Sequence, residues 1–322
     1  MDEGYKRRKK LFEKYSANLH EYLTALSVGR TESQQPVDLT GKVYFCPLCF
    51  EAFGAEDLVE VKGKNYLTLE HNPPKSMGGK GKGDILTCKQ CNNKNGEKTD
   101  EVVRELLTKE SFLFSPVGSL SARFRSGPAT IQGQVRKLGD IKVLRPDRKS
   151  NPHLYNQIIQ GINNGQPPKL DFTLTIPQWN EYSLGVLKIA YLKAFEYFGY
   201  HFADFGNGRD MHKVLRKEME YPVPNNGIFD VPVSDHYVGV HVVKEPVELM
   251  ALIITLKFSF EYDNNKVNKN VPVVLPHPFP GGWESLSNYK KYFGKQVNMK
   301  TERFSIRQVP ILKIRDYYEM YR

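Results

Sequence analysis

Apolar positions recur at steps of three and four near the start of the chain. Phe12, Tyr15, Leu19, Tyr22, Leu23 and Leu26 form one stripe over residues 6–28, and Gly29 stands where a helix would stop. That period predicts an amphipathic helix. Residues 30–40, RTESQQPVDLT, lose the period and hold a proline, as a linker does. The pattern then shifts toward two. VYFC reads as a short strand, and Tyr66, Thr68 and Glu70 alternate with Leu67, Leu69 and His71, which predicts a strand ending at the histidine. TDEVVRELL returns to a helical pattern, with Asp100 as its candidate N-cap and Val102, Val103, Leu106 and Leu107 on one side. Farther on, residues 129–144 read as a hairpin around Gly139-Asp140, and a short helix follows from Asn151-Pro152 to Ile162. In PKLDFTLTIP the residues Leu170, Phe172, Leu174 and Ile176 alternate as in a half-buried strand. SLGVLKIAYLKAFEYFGY is the strongest helix of the second half, with Leu184, Leu187, Tyr191, Phe195 and Phe198 on its apolar side and Gly199 as its stop. Strands follow over residues 228–275, including LMALIITLKFSF and the turn EYDNNK. The fold class expected is α+β.

Composition narrows the partners. The 322 residues are 40% hydrophobic and 25% charged, ordinary values for a globular protein. No apolar run approaches the roughly 18 residues that span a bilayer, and MDEGYKRRKKLFEKY has no signal-like apolar core, so a cytoplasmic protein with no membrane partner is expected. A formal charge of +10 favours polyanions, because lysines and arginines release counterions from phosphates.

The cysteines change the picture more. All four stand in two Cys-x-x-Cys pairs, Cys46 with Cys49 and Cys88 with Cys91, and none is left over. In a reducing compartment two such pairs read as one tetrahedral structural zinc site. A thioredoxin-like redox motif needs only one pair. The gap from Cys49 to Cys88 is longer than in a minimal zinc ribbon, so something substantial lies between the knuckles.

That intervening segment holds an inventory suited to phosphodiester hydrolysis. Such a reaction needs a base for water and a cation for the charge that develops on phosphate and leaving oxygen. Glu70 and His71 are adjacent, and Asn72-Pro73-Pro74 breaks the strand behind them so that both can reach one site. The loop KSMGGKGKG brings Lys75, Lys80 and Lys82 among four glycines, where they could meet a nucleic-acid backbone. Asn92 follows the second knuckle directly, on a helix that would aim it toward Glu70 and His71.

CPLC, then LEHNPPKSMGG, then ILTCKQCNNKNG resembles the zinc-stapled HNH endonuclease module, with its ββα-metal core. The likeness covers residues 41–100, about a fifth of the chain. It implies His71 as general base, Glu70 and Asn92 as ligands of a catalytic Mg²⁺ or Mn²⁺, and the four cysteines as ligands of a structural Zn²⁺ that does no chemistry. It further implies in-line attack that leaves a 5′-phosphate, with DNA as substrate by analogy with restriction and anti-phage defence nucleases. One letter departs. The family's middle Asn is missing from KGKGDILTC, where Asp84 stands nearest and either it, Asn93 or Asn95 would have to compensate.

The organisation expected is a basic helix and linker over residues 1–40, the nuclease module over 41–110, and a larger mixed α+β domain over 111–322. That last part would recognise a site, sense a ligand, or bind a protein partner or a second copy. Two rivals accompany the endonuclease reading: a zinc-stapled nucleic-acid binder with weak or no catalysis, and a nuclease subunit gated by a partner or ligand. His236 and His241, in DHYVGVHVV, read as structural residues on opposite sides of a strand.

Overall fold

A computed structural model describes residues 3–27, 42–79, 85–95, 99–114 and, with short gaps, 117–304. It mixes helix and antiparallel sheet, in keeping with the α+β class. Helix α1 (Glu3–Ser27) buries Phe12, Tyr15, Leu19 and Tyr22 along the predicted stripe. Strands β1 (Tyr44–Phe45) and β2 (Ala52–Phe53) flank the first cysteine pair as a short hairpin. Strands β3 (Leu67–Glu70) and β4 (Ile85–Cys88) form the second hairpin, which runs straight into α2 (Lys89–Asn95). Helix α3 (Glu101–Phe114) follows, with Val103 and Leu107 buried.

Beyond it come β5 (Val117–Ser126), β6 (Ala129–Leu138), β7 (Ile141–Pro146), α4 (Pro152–Asn163) and β8 (Lys169–Asp171). They build an antiparallel sheet in the order β7-β6-β5-β8. Asn151 caps α4, its side chain accepting from the Leu154 amide at 3.1 Å. The next helix, α5 (Ile176–Phe198), corrects one expectation. The strand anticipated through Ile176 is limited to Lys169–Asp171 among the described residues, and Ile176 opens the helix instead. Pro177 occupies the first turn, where a missing N–H has no helical partner to lose. Gly199 ends α5 at a φ of 57°, within the left-handed region.

Helices α6 (Tyr200–Ala203) and α7 (Gly206–Leu215) lead to β9 (Gly239–Glu245), β10 (Leu252–Tyr262), β11 (Asn265–Leu275), α8 (Gly282–Tyr292) and β12 (Lys300–Phe304). The strands form a second antiparallel sheet, ordered β11-β10-β9-β12. His236 lies in a 3₁₀ turn over Asp235–Tyr237 and not on a strand, whereas His241 is on β9.

Two compact units emerge. One comprises the chain up to Glu101, Ser183–Phe258 and the part from Asn268 on. The other comprises Val102–Tyr182 and Ser259–Val267, with Phe124, Ile131, Val135 and Ile158 in its core. The four cysteines therefore share a unit with α1, most of α5 and the sheet of β9.

Candidate functional site

The two knuckles close on one another. The sulfurs of Cys46, Cys49, Cys88 and Cys91 all lie within 4.8 Å of one another, the only such metal-binding group among the described residues. Cys49 and Cys88 stand 3.8 Å apart, Sγ to Sγ. A tetrahedral site with metal–sulfur bonds of about 2.3 Å has sulfur–sulfur edges of about 3.8 Å, so the donor set fits a metal ion of that size. Backbone amides already point at the sulfurs, Cys88 N to Cys46 Sγ and Cys91 N to Cys88 Sγ, both at 3.4 Å. Crowding four thiols together splits their titration. Hydrogen bonds from Cys46 and its neighbours push Cys88 down, while those from Cys49 and the others push Cys46 up.

The first knuckle is held from far along the sequence. Its turn takes Phe50 to a φ of 59°, unusual for a side chain, and lays the ring against His212 with centroids 4.1 Å apart. The carbonyl of Pro47 accepts from Tyr191 Oη at 2.8 Å and from His212 Nε2 at 2.6 Å. Tyr200 takes both backbone groups of Phe45: its hydroxyl accepts from the amide at 2.8 Å and donates to the carbonyl at 2.6 Å. Tyr15 of α1 stacks on Phe195 at 5.0 Å and meets Tyr44 edge-on. KIAYLKAFEYFGY, whose role its pattern does not disclose, is thus the buttress of the cysteine cluster.

On the second hairpin, register decides which side chains share a face. Thr68 pairs with Thr87 and Glu70 with Ile85, so Thr68, Glu70 and Thr87 lie together. Thr87 Oγ1 is 3.4 Å from Glu70 Oε2. Asn92 of α2 returns to the same face, its Nδ2 donating to Thr68 Oγ1 at 2.9 Å and reaching the Leu69 carbonyl at 3.5 Å. With the amide hydrogens of Asn92 committed to β3, its Oδ1 is the polar group of the side chain left outside that pairing. Glu70 and Asn92 are therefore brought to one face, and half-buried His71 follows where the strand ends.

Glu70 is 6% exposed, and that burial raises its carboxyl to about 7 against the opposing pull of Lys188. Lys188 and Asp100 are functional candidates that pattern reading missed. Lys188 lies on α5 and is buried, with Nζ 2.7 Å from Asp100 Oδ1. Asp100 reads in the sequence as a helix cap and Lys188 as part of an apolar helix; only the fold sets the pair beside Glu70. Asn72 is a third. It is 6% exposed, and neither Nδ2 nor Oδ1 has a hydrogen bond among the described residues.

The turn after His71 explains its glycines. Gly78 adopts a φ of 95°, and a Cβ on Gly79 would sit 1.9 Å from the Pro73 carbonyl oxygen. Met77, between them and Lys75, is fully buried, while Lys75 is exposed. Lys80, Lys82 and Asp84 lie outside the described residues. Asn93 is exposed on α2, and the side chain of Asn95 lies outside the description. No helix among the described residues is long and apolar enough to cross a membrane.

Compared with models of protein families, with curated proteins and with solved structures, the chain finds no match.

Proposed function

We propose that this chain is a metal-dependent endonuclease of the HNH type, acting on DNA in the cytoplasm in restriction or anti-phage defence. The observation that carries the reading is the shared face of Glu70 and Asn92 beside His71, on a hairpin stapled to a four-cysteine cluster. Zinc is the ion assigned to the cysteines, as a staple. Glu70 and the Oδ1 of Asn92 would hold a Mg²⁺ or Mn²⁺, which supplies charge neutralisation at the phosphate and its leaving oxygen.

The chain's own groups do the rest. His71 takes the proton from the attacking water, which sits in line with the 3′ leaving oxygen, and a 5′-phosphate results. Lys75, with Lys80 and Lys82, meets the nucleic-acid backbone; the +10 charge of the chain draws the polyanion in. Asn72, a buried amide directly after the base and without a hydrogen bond among the described residues, takes the orienting part of the missing middle Asn.

The departure at that middle letter favours one rival, a zinc-stapled DNA binder without catalysis. Supercoiled plasmid with Mg²⁺ or Mn²⁺ separates the two, using zinc-loaded natural chain, His71→Ala and Asn72→Ala. Nicked product that vanishes with His71→Ala and slows with Asn72→Ala, at unchanged zinc content, is the result expected. Binding in a gel shift without any cutting would replace the nuclease with the binder. Cutting by His71→Ala at the natural rate would remove His71 as base.

A further inference from the structure

A cavity of about 820 Å³ opens beside the sheet of β9, far in the sequence from the cysteine cluster. Its walls are aromatic and aliphatic, with Phe229, Val233, Tyr237, Ile253, Tyr289 and Val297 among them. The volume is in the range that takes a drug-sized molecule. The Tyr289 hydroxyl is already spent, donating to the Leu249 carbonyl at 2.8 Å. Lys295, the charged residue of the lining, is itself exposed, so its ammonium keeps its water.

One polar group is different. His241 lines the cavity from β9 and is 7% exposed, and its Nε2 is buried without a hydrogen bond among the described residues. The ring's other nitrogen bonds the backbone of Tyr237, and burial holds the imidazole neutral by lowering its pKa. A neutral ring that donates from Nδ1 to that carbonyl keeps a lone pair on Nε2. Register places it well: His241 pairs with Ile253 of β10 and Arg303 of β12, so it stands mid-sheet on the face that Ile253 also presents to the cavity. A buried acceptor left unmet costs free energy that a bound donor recovers.

We propose that this cavity binds a small, uncharged, flat and largely apolar molecule that presents one hydroxyl or N–H donor to Nε2 of His241. The occupant's class follows from the walls, the volume and the unmet acceptor at Nε2 of His241. The proposal is independent of the nuclease reading, because it concerns other residues and is read without any cleavage.

The test uses N-phenyl-1-naphthylamine, an uncharged aromatic amine with one N–H, whose fluorescence rises in apolar surroundings. Titrated into the full zinc-loaded chain, it should bind saturably at one molecule per chain and raise the melting temperature. His241→Phe keeps the ring and deletes the acceptor, and should weaken binding about tenfold, the worth of one buried hydrogen bond. Val297→Trp, at a half-buried wall position, should crowd the cavity and weaken binding while circular dichroism stays that of the natural chain. Val247→Ser, exposed and outside the lining, should leave binding unchanged. Absence of saturable binding to the natural chain overturns the proposal. So does binding that neither His241→Phe nor Val297→Trp alters.

Discussion

Replacing Lys188 with methionine tests the frame behind the candidate site. The stem length is kept and the charge removed. In the natural chain Nζ lies 2.7 Å from Asp100 Oδ1, with the two side chains 5% and 13% exposed. Deleting one partner of such a pair strands the other in a poorly solvated place, which costs about 3–5 kcal/mol. The residual exposure of Asp100 pulls the figure toward the lower end, so Lys188→Met should destabilise by about 3 kcal/mol. Asp100→Asn made in the same chain removes the stranded charge and should recover more than half of the loss. Urea unfolding of the zinc-loaded natural chain, both single variants and the double variant, followed by tryptophan fluorescence, closes the cycle. A coupling of about 2 kcal/mol or more is expected. A cost under about 1 kcal/mol for Lys188→Met, or a double variant no more stable than Lys188→Met alone, would refute a structural role for the ion pair.

Two further outcomes follow from the same region and from the buried histidines. Tyr200→Phe leaves the amide and the carbonyl of Phe45 without their shared partner and should cost about 2 kcal/mol in urea, whereas Tyr191→Phe should cost less, because His212 still serves the Pro47 carbonyl. Burial pushes His212 and His277 down from 6.5 to about 4, so unfolded chains take up protons before folded ones do. Stability present at neutral pH is therefore lost as pH falls from 6.5 toward 4, by about 2 kcal/mol per ring at pH 5. Urea midpoints at pH 7.5 and pH 5 check it, and a flat profile, or one that rises toward acid, counts against it.

What could be read from the chain was what local rules decide. The stripe from Phe12 to Tyr22, the helix start at Asn151-Pro152, the left-handed Gly199 stop and the hairpin partners Leu138 and Ile141 each follow from residues a few positions apart. The paired cysteines belong here too, since tetrahedral thiolate geometry needs two knuckles. The alternation through Ile176 misled, because apolar residues at every second position do not say where a strand gives way to a helix whose first turn accepts proline. What stayed hidden was held together over long separations. Nothing near Lys188 announces Asp100, and nothing near Tyr191 or His212 announces the Pro47 carbonyl. His241, structural by its pattern, acquires an open acceptor only once Tyr237 has taken its other nitrogen.

The clamp on the first knuckle has a consequence for the order of events at the ribosome. The cysteines are complete at Cys91, but Tyr191 is made 100 residues later (191 − 91), after the whole stretch Val102–Tyr182 of the other unit. At about 5–20 residues per second, the cluster waits about 5–20 s for its buttress. Through that interval the backbone groups of Phe45 and Pro47 lack the partners that Tyr191, Tyr200 and His212 later supply. Docking of α5, α6 and α7 is then the late act that seals the first knuckle.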